Sequence, residues 1–175
     1  MEQENPTSHE EIITPDPENK IFVKTKFKDG QPHGESMTYR EGGEVIQKAN
    51  FKEGKLDGEF LYYDKGKLKA KLNFKENKRE GKSIYYDENE KEIGAENYKN
   101  DLRHGETEWK NPDGNLLYKE NYKEGKLHGE KTEYHASGEV KKKMIYEEGE
   151  LIGEPEEFNE KGKKKNVKSI FKFSK

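Results

Sequence analysis

Glutamates and histidines are the residues of this chain that could act as acids, bases or metal ligands, and both recur at fixed places in the sequence. A glutamate follows a glycine at nearly constant spacing, at Glu35, Glu59, Glu106, Glu130 and Glu154. General acid–base catalysis needs one carboxylate in a desolvated pocket, not five equivalent ones. The repetition therefore favours a structural role, and the sequence predicts no catalytic residue.

Three of the five histidines, His33, His104 and His128, directly precede the same glycine column. If equivalent residues of adjacent repeats are two strands apart, His104 and His128 are separated by about 10 Å, at about 4.8 Å per strand. One zinc ion binds each ligand at about 2.0–2.1 Å, so this pair cannot share it. The chain also has no cysteine and no phosphate-binding glycine loop. The sequence thus predicts no metal site and no cofactor.

The glycines before these glutamates mark a repeat. They are Gly34, Gly58, Gly81, Gly105, Gly129 and Gly153, spaced 24, 23, 24, 24 and 24 residues apart, and we call them the anchor glycines. An aromatic residue opens each repeat, at Phe27, Phe51, Phe74, Tyr98, Tyr122 and Tyr146, with Phe171 one residue late. A fixed period of this size is typical of one supersecondary unit stacked on itself.

Each repeat has the pattern of a β-hairpin. In repeat two, residues 59–63 form an outgoing strand, residues 64–66 a tight turn and residues 67–74 the return strand. The link between hairpins begins with Gly, Asn or Asp, which tolerate positive φ best. Glu90 alone breaks the glycine column at the hairpin tips, and Asn89 is expected to take the left-handed conformation instead. The sequence predicts an all-β fold: an elongated, twisted single-layer antiparallel meander of repeated β-hairpins.

Strand alternation assigns the two faces of such a sheet, provided that no β-bulge intervenes. The third and fifth residues after each anchor glycine, such as Leu61 and Tyr63, would then share one apolar face with the opening aromatics. The fourth residues would lie on the opposite, polar face. That face would also carry an asparagine column at Asn50, Asn73, Asn97 and Asn121.

The link-and-strand pattern reads F-K-E-G-K-L-D-G-E-F-L-Y-Y-D-K-G-K-L-K in repeat two and Y-K-E-G-K-L-H-G-E-K-T-E-Y-H-A-S-G-E-V-K in repeat five. It resembles the MORN repeat, most closely the bacterial variant of antitoxin-like proteins. The resemblance covers residues 20–171, as six repeats and an N-terminal half repeat. Repeat three departs from it at N-K-R-E-G, which lacks the first Gly and the Leu. The resemblance implies a non-enzymatic scaffold, since MORN arrays occur in scaffolds, membrane-associated proteins and targeting regions.

Aromatic residues at the fourth position depart from the repeat average in three consecutive repeats. They are Tyr62, Tyr85 and Trp109, and neighbouring columns add Phe60, Ile93 and Leu117. Exposed aromatic clusters mark protein interfaces, where Trp and Tyr are favoured anchors. The same side chains could instead stabilise the strands as a ladder, or be buried where the sheet curls over. These six are the predicted partner-binding residues.

The two ends of the chain carry opposite charge. Residues 1–19 hold six acidic residues and no lysine or arginine, which predicts a flexible acidic leader. Residues 20–27 are then expected to be the N-terminal edge strand of the sheet. Residues 160–175 hold seven lysines, and residues 172–175 form a basic tail end. Lysines in this segment could bind an acidic partner or anionic lipid, or they could protect an exposed sheet edge. The candidate lipid-binding residues are Lys163, Lys164, Lys165 and Lys168.

Composition limits the remaining function classes. Hydrophobic residues make up 27% of the chain and charged residues 41%, which a thin sheet tolerates because it needs only one apolar row per strand. The body of the array is net acidic, which argues against nucleic-acid binding. No apolar run approaches 18 residues. The sequence predicts a cytoplasmic chain, or an exported or lipid-anchored one if a signal segment was removed, and it does not indicate the oligomeric state.

These patterns together predict a non-enzymatic repeat scaffold that binds a protein partner. The resemblance to antitoxin-like repeat proteins implies a toxin as that partner and an antitoxin or immunity role for this chain. The alternative is a peripheral membrane adaptor that places the lysine cluster on anionic lipid, where each lysine contributes about 1 kcal/mol. No amphipathic helix or lipidation motif supports the alternative.

Overall fold

The computed structural model describes residues 9–18 and 20–165. Every regular element of these residues is a β-strand, and consecutive long strands pair antiparallel within each of two units, residues 1–103 and 104–175. The predicted all-β meander of hairpins is therefore confirmed. The strands of unit 1 are β1 (His9–Asp16), β2 (Ile21–Lys28), β3 (Gln31–Arg40), β4 (Val45–Lys52), β5 (Lys55–Asp64), β6 (Lys67–Lys75), β7 (Lys78–Arg79), β8 (Gly81–Tyr86), β9 (Glu92–Lys99) and β10 (Leu102–Arg103).

Unit 2 has the same hairpin order. Its strands are β11 (Gly105–Lys110), β12 (Leu116–Lys123), β13 (Lys126–Leu127), β14 (Gly129–Tyr134), β15 (Val140–Glu147) and β16 (Glu150–Glu157). The dipeptide strands β7, β10 and β13 fold back from a link turn onto the strand before it. The residues between link turn and anchor glycine, such as residues 55–57 in β5, are thus strand and not turn.

Two-residue turns link the hairpins, and both residues of each turn have positive φ. The values are 49° and 70° at Glu76 and Asn77, and 49° and 69° at Asn100 and Asp101. This is the geometry of a type I′ turn, whose twist matches that of the paired strands. Asn77 adds a bond that glycine could not make, since its Oδ1 accepts the Leu56 N–H at 2.7 Å. The predicted conformation of the link column is confirmed.

The prediction for the tip of repeat three is wrong in detail. Glu90 itself has a φ of 60°, whereas Asn89 has no positive φ and donates its N–H to Asp87 Oδ1 at 2.7 Å. The left-handed conformation costs a residue with a Cβ about 1–2 kcal/mol. The Glu90 side chain offsets part of this cost, because its Oε1 accepts the Leu68 N–H of the preceding repeat at 2.9 Å.

A β-bulge interrupts the return strand of every hairpin from β3–β4 to β14–β15. In repeat two, Tyr62 pairs with Ala70 but Tyr63 pairs with Leu68, which leaves Lys69 as the extra residue. The equivalent extra residues are Ile46, Ile93, Leu117 and Lys141. A bulge changes which residues of the strand share a face.

The face assignment from strict alternation is consequently wrong. Directly opposed residues of an antiparallel pair share a face. Gly58 opposes Phe74, and Tyr62 opposes Ala70 four residue pairs further along, an even number that returns to the same face. The fourth-position residues therefore lie on the same face as the opening aromatics, and Leu61 lies on the other. We call the side with the opening aromatics the aromatic face; it carries Phe51, Phe74 and Tyr98 in unit 1 and Tyr122 and Tyr146 in unit 2.

The opposite side, which we call the asparagine face, carries the predicted asparagine column. Asn73 Nδ2 donates to the Lys82 carbonyl at 2.7 Å, and Asn50 Nδ2 donates to the Glu59 carbonyl at 3.2 Å. The strand ladder shifts register beside Asn50. The asparagine amide thus supplies a hydrogen bond where the backbone pairing is interrupted, which gives a physical reason for this residue type.

The N-terminal prediction needs correction. Residues 9–16 form strand β1 and pair along their whole length with β2, where the sequence predicted a flexible leader and an edge strand at residues 20–27. The β-branched pair Ile12 and Ile13 favours a strand, which the acidic composition concealed. Residues 1–8, Asn19 and residues 166–175 lie outside the described residues, and with them Lys168, Phe171 and the predicted tail end at 172–175.

Candidate partner-binding surface on the aromatic face

Unit 1 brings three of the predicted partner-binding residues onto one face. Tyr62 in β5 and Tyr85 in β8 both oppose Ala70 of β6, so the two aromatic side chains flank one small side chain. Phe60 lies on the same face, two residues before Tyr62, and packs on Phe74 with ring centroids 5.8 Å apart. Ala70 therefore lies between the two tyrosines on this face.

Tyr62 and Tyr85 differ in exposure. Tyr62 is 46% exposed, whereas Tyr85 is half-buried. The fourth predicted residue in this unit, Ile93, is the bulged residue of β9 and precedes Gly94, which opposes Tyr85.

Five side chains of unit 1 form a polar cluster that holds Tyr85. Arg79 Nη2 donates to the Tyr85 hydroxyl at 2.7 Å and to Ser83 Oγ at 3.1 Å. The hydroxyls of Tyr85 and Tyr98 each donate to Glu96 Oε2 at 2.8 Å. The Arg79 guanidinium also lies over the Tyr98 ring, 3.7 Å from its centroid.

Burial governs the protonation of this polar cluster. Ser83 is 1% exposed and Glu96 8% exposed. Desolvation is the main cause that raises the pKa of Tyr85 to about 12, and the hydrogen bond from Arg79 acts in the opposite direction. Burial also raises the pKa of Tyr98. Both phenols therefore remain neutral donors to the Glu96 carboxylate at neutral pH.

Sequence reasoning missed the polar cluster, although the repeat columns contain its signal. Arg79 stands two residues before its anchor glycine, where repeats two and five have Leu56 and Leu127. Glu96 stands two residues before its opening aromatic, where repeat one has Ala49. A column-by-column comparison would have revealed polar residues at these apolar positions. Their mutual contacts depend on cross-strand register and could not be read from the columns.

Unit 2 contains the other two predicted residues, and each of them neighbours Tyr118. Trp109 of β11 opposes Tyr118 of β12, and the bulged residue Leu117, 45% exposed, precedes Tyr118. Glu120 lies on the same face and is 7% exposed. Its Oε1 forms an ion pair with Lys131 Nζ at 2.6 Å. Trp109 and Leu117 thus both belong to unit 2, whereas the other four predicted residues belong to unit 1.

The candidate lipid-binding lysines make contacts at the end of unit 2. Lys164 bonds to Glu156, and Lys165 Nζ lies 3.8 Å from Glu157 Oε2. The Lys163 N–H donates to Asn159 Oδ1 at 3.1 Å, and its side chain is exposed. Two of the three described lysines therefore have their charge partly balanced by strand β16.

Two of the histidines lie near polar groups. His128 Nδ1 lies 3.7 Å from Glu148 Oε1, and His135 Nε2 lies 3.0 Å from the Phe158 carbonyl oxygen. Within residues 9–18 and 20–165, no group of three histidines or carboxylates lies close enough to hold a metal ion. The same residues include no helix long and apolar enough to cross a membrane.

Three segments match the sequence profile of the MORN repeat variant: residues 56–76, 103–124 and 127–148. Each runs from the end of a link, through one hairpin, to the next link turn. These matches support a MORN-repeat protein. MORN repeats are in general non-catalytic scaffolds that bind proteins or membranes. No curated protein matches the chain. The predicted resemblance to MORN repeats is confirmed, while the antitoxin-like and bacterial assignments stay predictions.

Proposed function

We propose that this MORN-repeat chain is a non-enzymatic protein-binding scaffold whose partner docks on the aromatic face of unit 1. The supporting observation is Tyr62, an aromatic ring 46% exposed on a face that otherwise packs its aromatic side chains. Tyrosine is favoured at interface hot spots because it presents a large rigid surface with a polar tip. Within the range of known MORN repeat roles, this geometry favours protein binding.

The neighbouring Tyr85 strengthens this proposal. Its ring is already held by the bonds to Arg79 and Glu96, so a partner would not have to immobilise it. Each rotamer-rich side chain ordered on binding costs about 0.5–1.5 kcal/mol, and preorganisation avoids that cost. Phe60 and Ile93 complete the proposed surface in unit 1, and Trp109 and Leu117 are proposed as contact residues in unit 2.

The proposed partner is a toxin, with this chain as its antitoxin or immunity protein. The support for this finer assignment is the resemblance of the repeats to those of antitoxin-like proteins. Co-expression with the product of a neighbouring reading frame tests it. We expect that product to arrest growth alone and to be neutralised by this chain but not by its Tyr62→Ala variant. A harmless neighbouring product would contradict the assignment.

Site-specific photocrosslinking in the native cell tests the docking face itself. A photoreactive phenylalanine derivative replaces Tyr62 on the aromatic face or, as the matched control, the exposed Lys82 on the asparagine face of the same unit. We expect a discrete protein adduct from position 62 and none from position 82. With that partner purified, Tyr62→Ala should weaken binding by about 2 kcal/mol, about 30-fold, without lowering the melting temperature. An adduct from position 82 alone would reject the aromatic face.

A membrane adaptor is the second candidate, since MORN repeats include membrane-binding scaffolds and the chain ends in a lysine cluster. Lys163, Lys164, Lys165 and Lys168 would then contact anionic lipid. The pairing of Lys164 and Lys165 with glutamates reduces the charge available for such binding. Flotation with phosphatidylserine vesicles, with and without residues 160–175, tests it. Flotation that requires these residues would favour the adaptor over the protein-binding scaffold.

A further inference from the structure

Strand β1 is an edge strand of unit 1. Among the described residues it pairs only with β2, and its eight residues do so without a register shift. In an antiparallel pair, every second residue directs its backbone N–H and C=O groups away from the partner strand. β1 therefore presents a row of backbone donors and acceptors along its outer edge, which is a template for one further strand.

This edge lacks most of the features that protect edge strands from pairing. Lysines, prolines and bulges usually give that protection. β1 contains no lysine, arginine or bulge, and its single proline, Pro15, stands next to its last residue. Ile12 and Ile13, at its centre, are 42% and 54% exposed. Successive residues of a strand alternate between the faces, so each face exposes one isoleucine that an added strand would partly cover.

The chain itself contains a segment similar to the strand that β1 already pairs with. Residues 23–28 of β2 read V-K-T-K-F-K, and residues 167–172 read V-K-S-I-F-K, which is identical at four of six positions. We call residues 166–173 the C-terminal segment. Half of its eight residues are β-branched or aromatic, the types that strands favour: Val167, Ile170, Phe171 and Phe173. The segment thus has the length of β1 and a sequence close to that of its present partner.

Charge also matches this segment to β1. Residues 1–19 hold six acidic residues and no lysine or arginine, whereas residues 160–175 hold seven lysines and one glutamate. β2 shows how such charges pair across strands, because Lys24 Nζ lies 3.0 Å from Glu11 Oε1. A second lysine-bearing strand would place cations on the other side of the β1 carboxylates, and opposite charges on neighbouring strands stabilise a sheet.

We propose that the outer edge of β1 receives the C-terminal segment of a second copy of this chain as an added antiparallel strand. In strand addition, backbone hydrogen bonds supply the affinity and side chains decide which segment is accepted. The contact joins two different surfaces, so each copy donates its segment to one neighbour and receives a segment from another. The copies then associate head to tail. This contact uses a sheet edge and not the aromatic face, so its outcome is independent of the docking proposed there.

Sedimentation velocity of the full chain tests this contact. We expect concentration-dependent association with a Kd of about 100 μM. Raising NaCl from about 0.05 M to about 0.5 M should weaken it by about threefold or more, since salt screens exposed charges. Ile12→Lys puts on the receiving edge a charge that repels the lysine-bearing segment, and Ile170→Pro prevents the donated strand. Each variant alone should be monomeric, whereas a mixture of the two should form a 1:1 dimer, because each supplies the surface that the other lacks.

Two controls separate the edge contact from general effects. Ile145 in β15 is 48% exposed, but its strand is paired on both sides, so Ile145→Lys should leave association unchanged. A capped peptide with the sequence of residues 166–175, added in excess, should dissociate the oligomers by filling the receiving edges. A scrambled peptide of the same composition should not. If Ile12→Lys loses the circular dichroism of a β-sheet, the peptides and Ile170→Pro decide.

A full chain that stays monomeric at about 500 μM would overturn the inference, whether its own segment or another protein occupies the edge. Association that persists in Ile12→Lys would show that other surfaces join the copies. Association lost in Ile12→Lys but kept in Ile170→Pro would indicate a symmetric contact between two β1 strands. A mixture of these two variants that remains monomeric would equally reject the head-to-tail contact.

Discussion

Thr107 provides a test of how this thin sheet is stabilised. Its side chain in β11 is 1% exposed, opposes Glu120, and has no hydrogen-bond partner for Oγ1 among residues 9–18 and 20–165. A hydroxyl buried without a partner costs about 1–3 kcal/mol. Valine has nearly the same shape and an equal or higher strand preference. We therefore expect Thr107→Val to raise the free energy of unfolding by about 1–2 kcal/mol.

The matched control is Thr132 of β14, also in unit 2. It is 4% exposed, but its Oγ1 donates to Glu130 Oε1 at 2.6 Å. Thr132→Val removes that bond and should lower the free energy of unfolding by about 1 kcal/mol. Urea denaturation can be followed by the fluorescence of Trp109, the single tryptophan, which lies two residues from Thr107. The midpoint should move in opposite directions in the two variants, with unchanged slope.

The refuting result is a lower midpoint for Thr107→Val with a higher one for Thr132→Val. That outcome would mean that the Thr107 hydroxyl is stabilising and that burial without a partner does not describe its energetics. In thermal melts, each kcal/mol corresponds to about 2–4 °C for a chain of this size. A changed urea slope would indicate that the units no longer unfold together, as repeat arrays can when one interface weakens.

Four further substitutions test the polar cluster, the anchor glycines and the asparagine column. The pKa of Tyr85 in the folded state is about 12, above its ordinary value of 10.0. The stability that the neutral phenol contributes is therefore complete below pH 10 and is lost as the pH rises to about 12. Tyr85→Phe should flatten this part of the curve of urea midpoint against pH, and an unchanged curve would contradict the assignment. A Cβ at Gly58, where φ is 107°, would lie 3.3 Å from Asn50 Cβ, whereas at Gly81 it would meet nothing within 4 Å. Both substitutions should lower the free energy of unfolding by at least about 1 kcal/mol. Gly58→Ala should lower the urea midpoint more than Gly81→Ala, and the reverse order would refute this. Asn73→Ala should lower the free energy of unfolding by about 1 kcal/mol through the lost bond to the Lys82 carbonyl; a neutral effect in the same urea assay would show that the bond does not matter.

Much of the fold was predictable from the sequence because its signals are local. The period identified the hairpins, and Gly54, Asn77 and Asp101 indicated positive φ, since backbone sterics act within one residue. Strand β1 was missed because its acidic residues resembled a flexible leader, although Ile12 and Ile13 favoured a strand. At Glu90, the deciding contact is with Leu68 of the preceding repeat, and no local rule contains it.

The sequence identified the residues of the candidate surface but not the face on which they lie or the contacts around them. Tyr62 and Tyr85 were identified as departures from the repeat average, and the structure places both beside Ala70. Their face was assigned wrongly because alternation counts residues along one strand and does not detect the extra residue of a bulge. The bonds of Arg79 and Glu96 to Tyr85 join residues six and eleven positions apart on different strands, so composition and spacing could not indicate them.

The sequence by itself determined the hairpin period, the link turns and the all-β class of this protein. These features depend on backbone conformations that single residues favour or forbid. Only the tertiary structure decided the two faces, the polar cluster and the exposure of Tyr62. Those properties depend on the register between strands, and in every complete hairpin one bulged residue reverses the relation between sequence position and face.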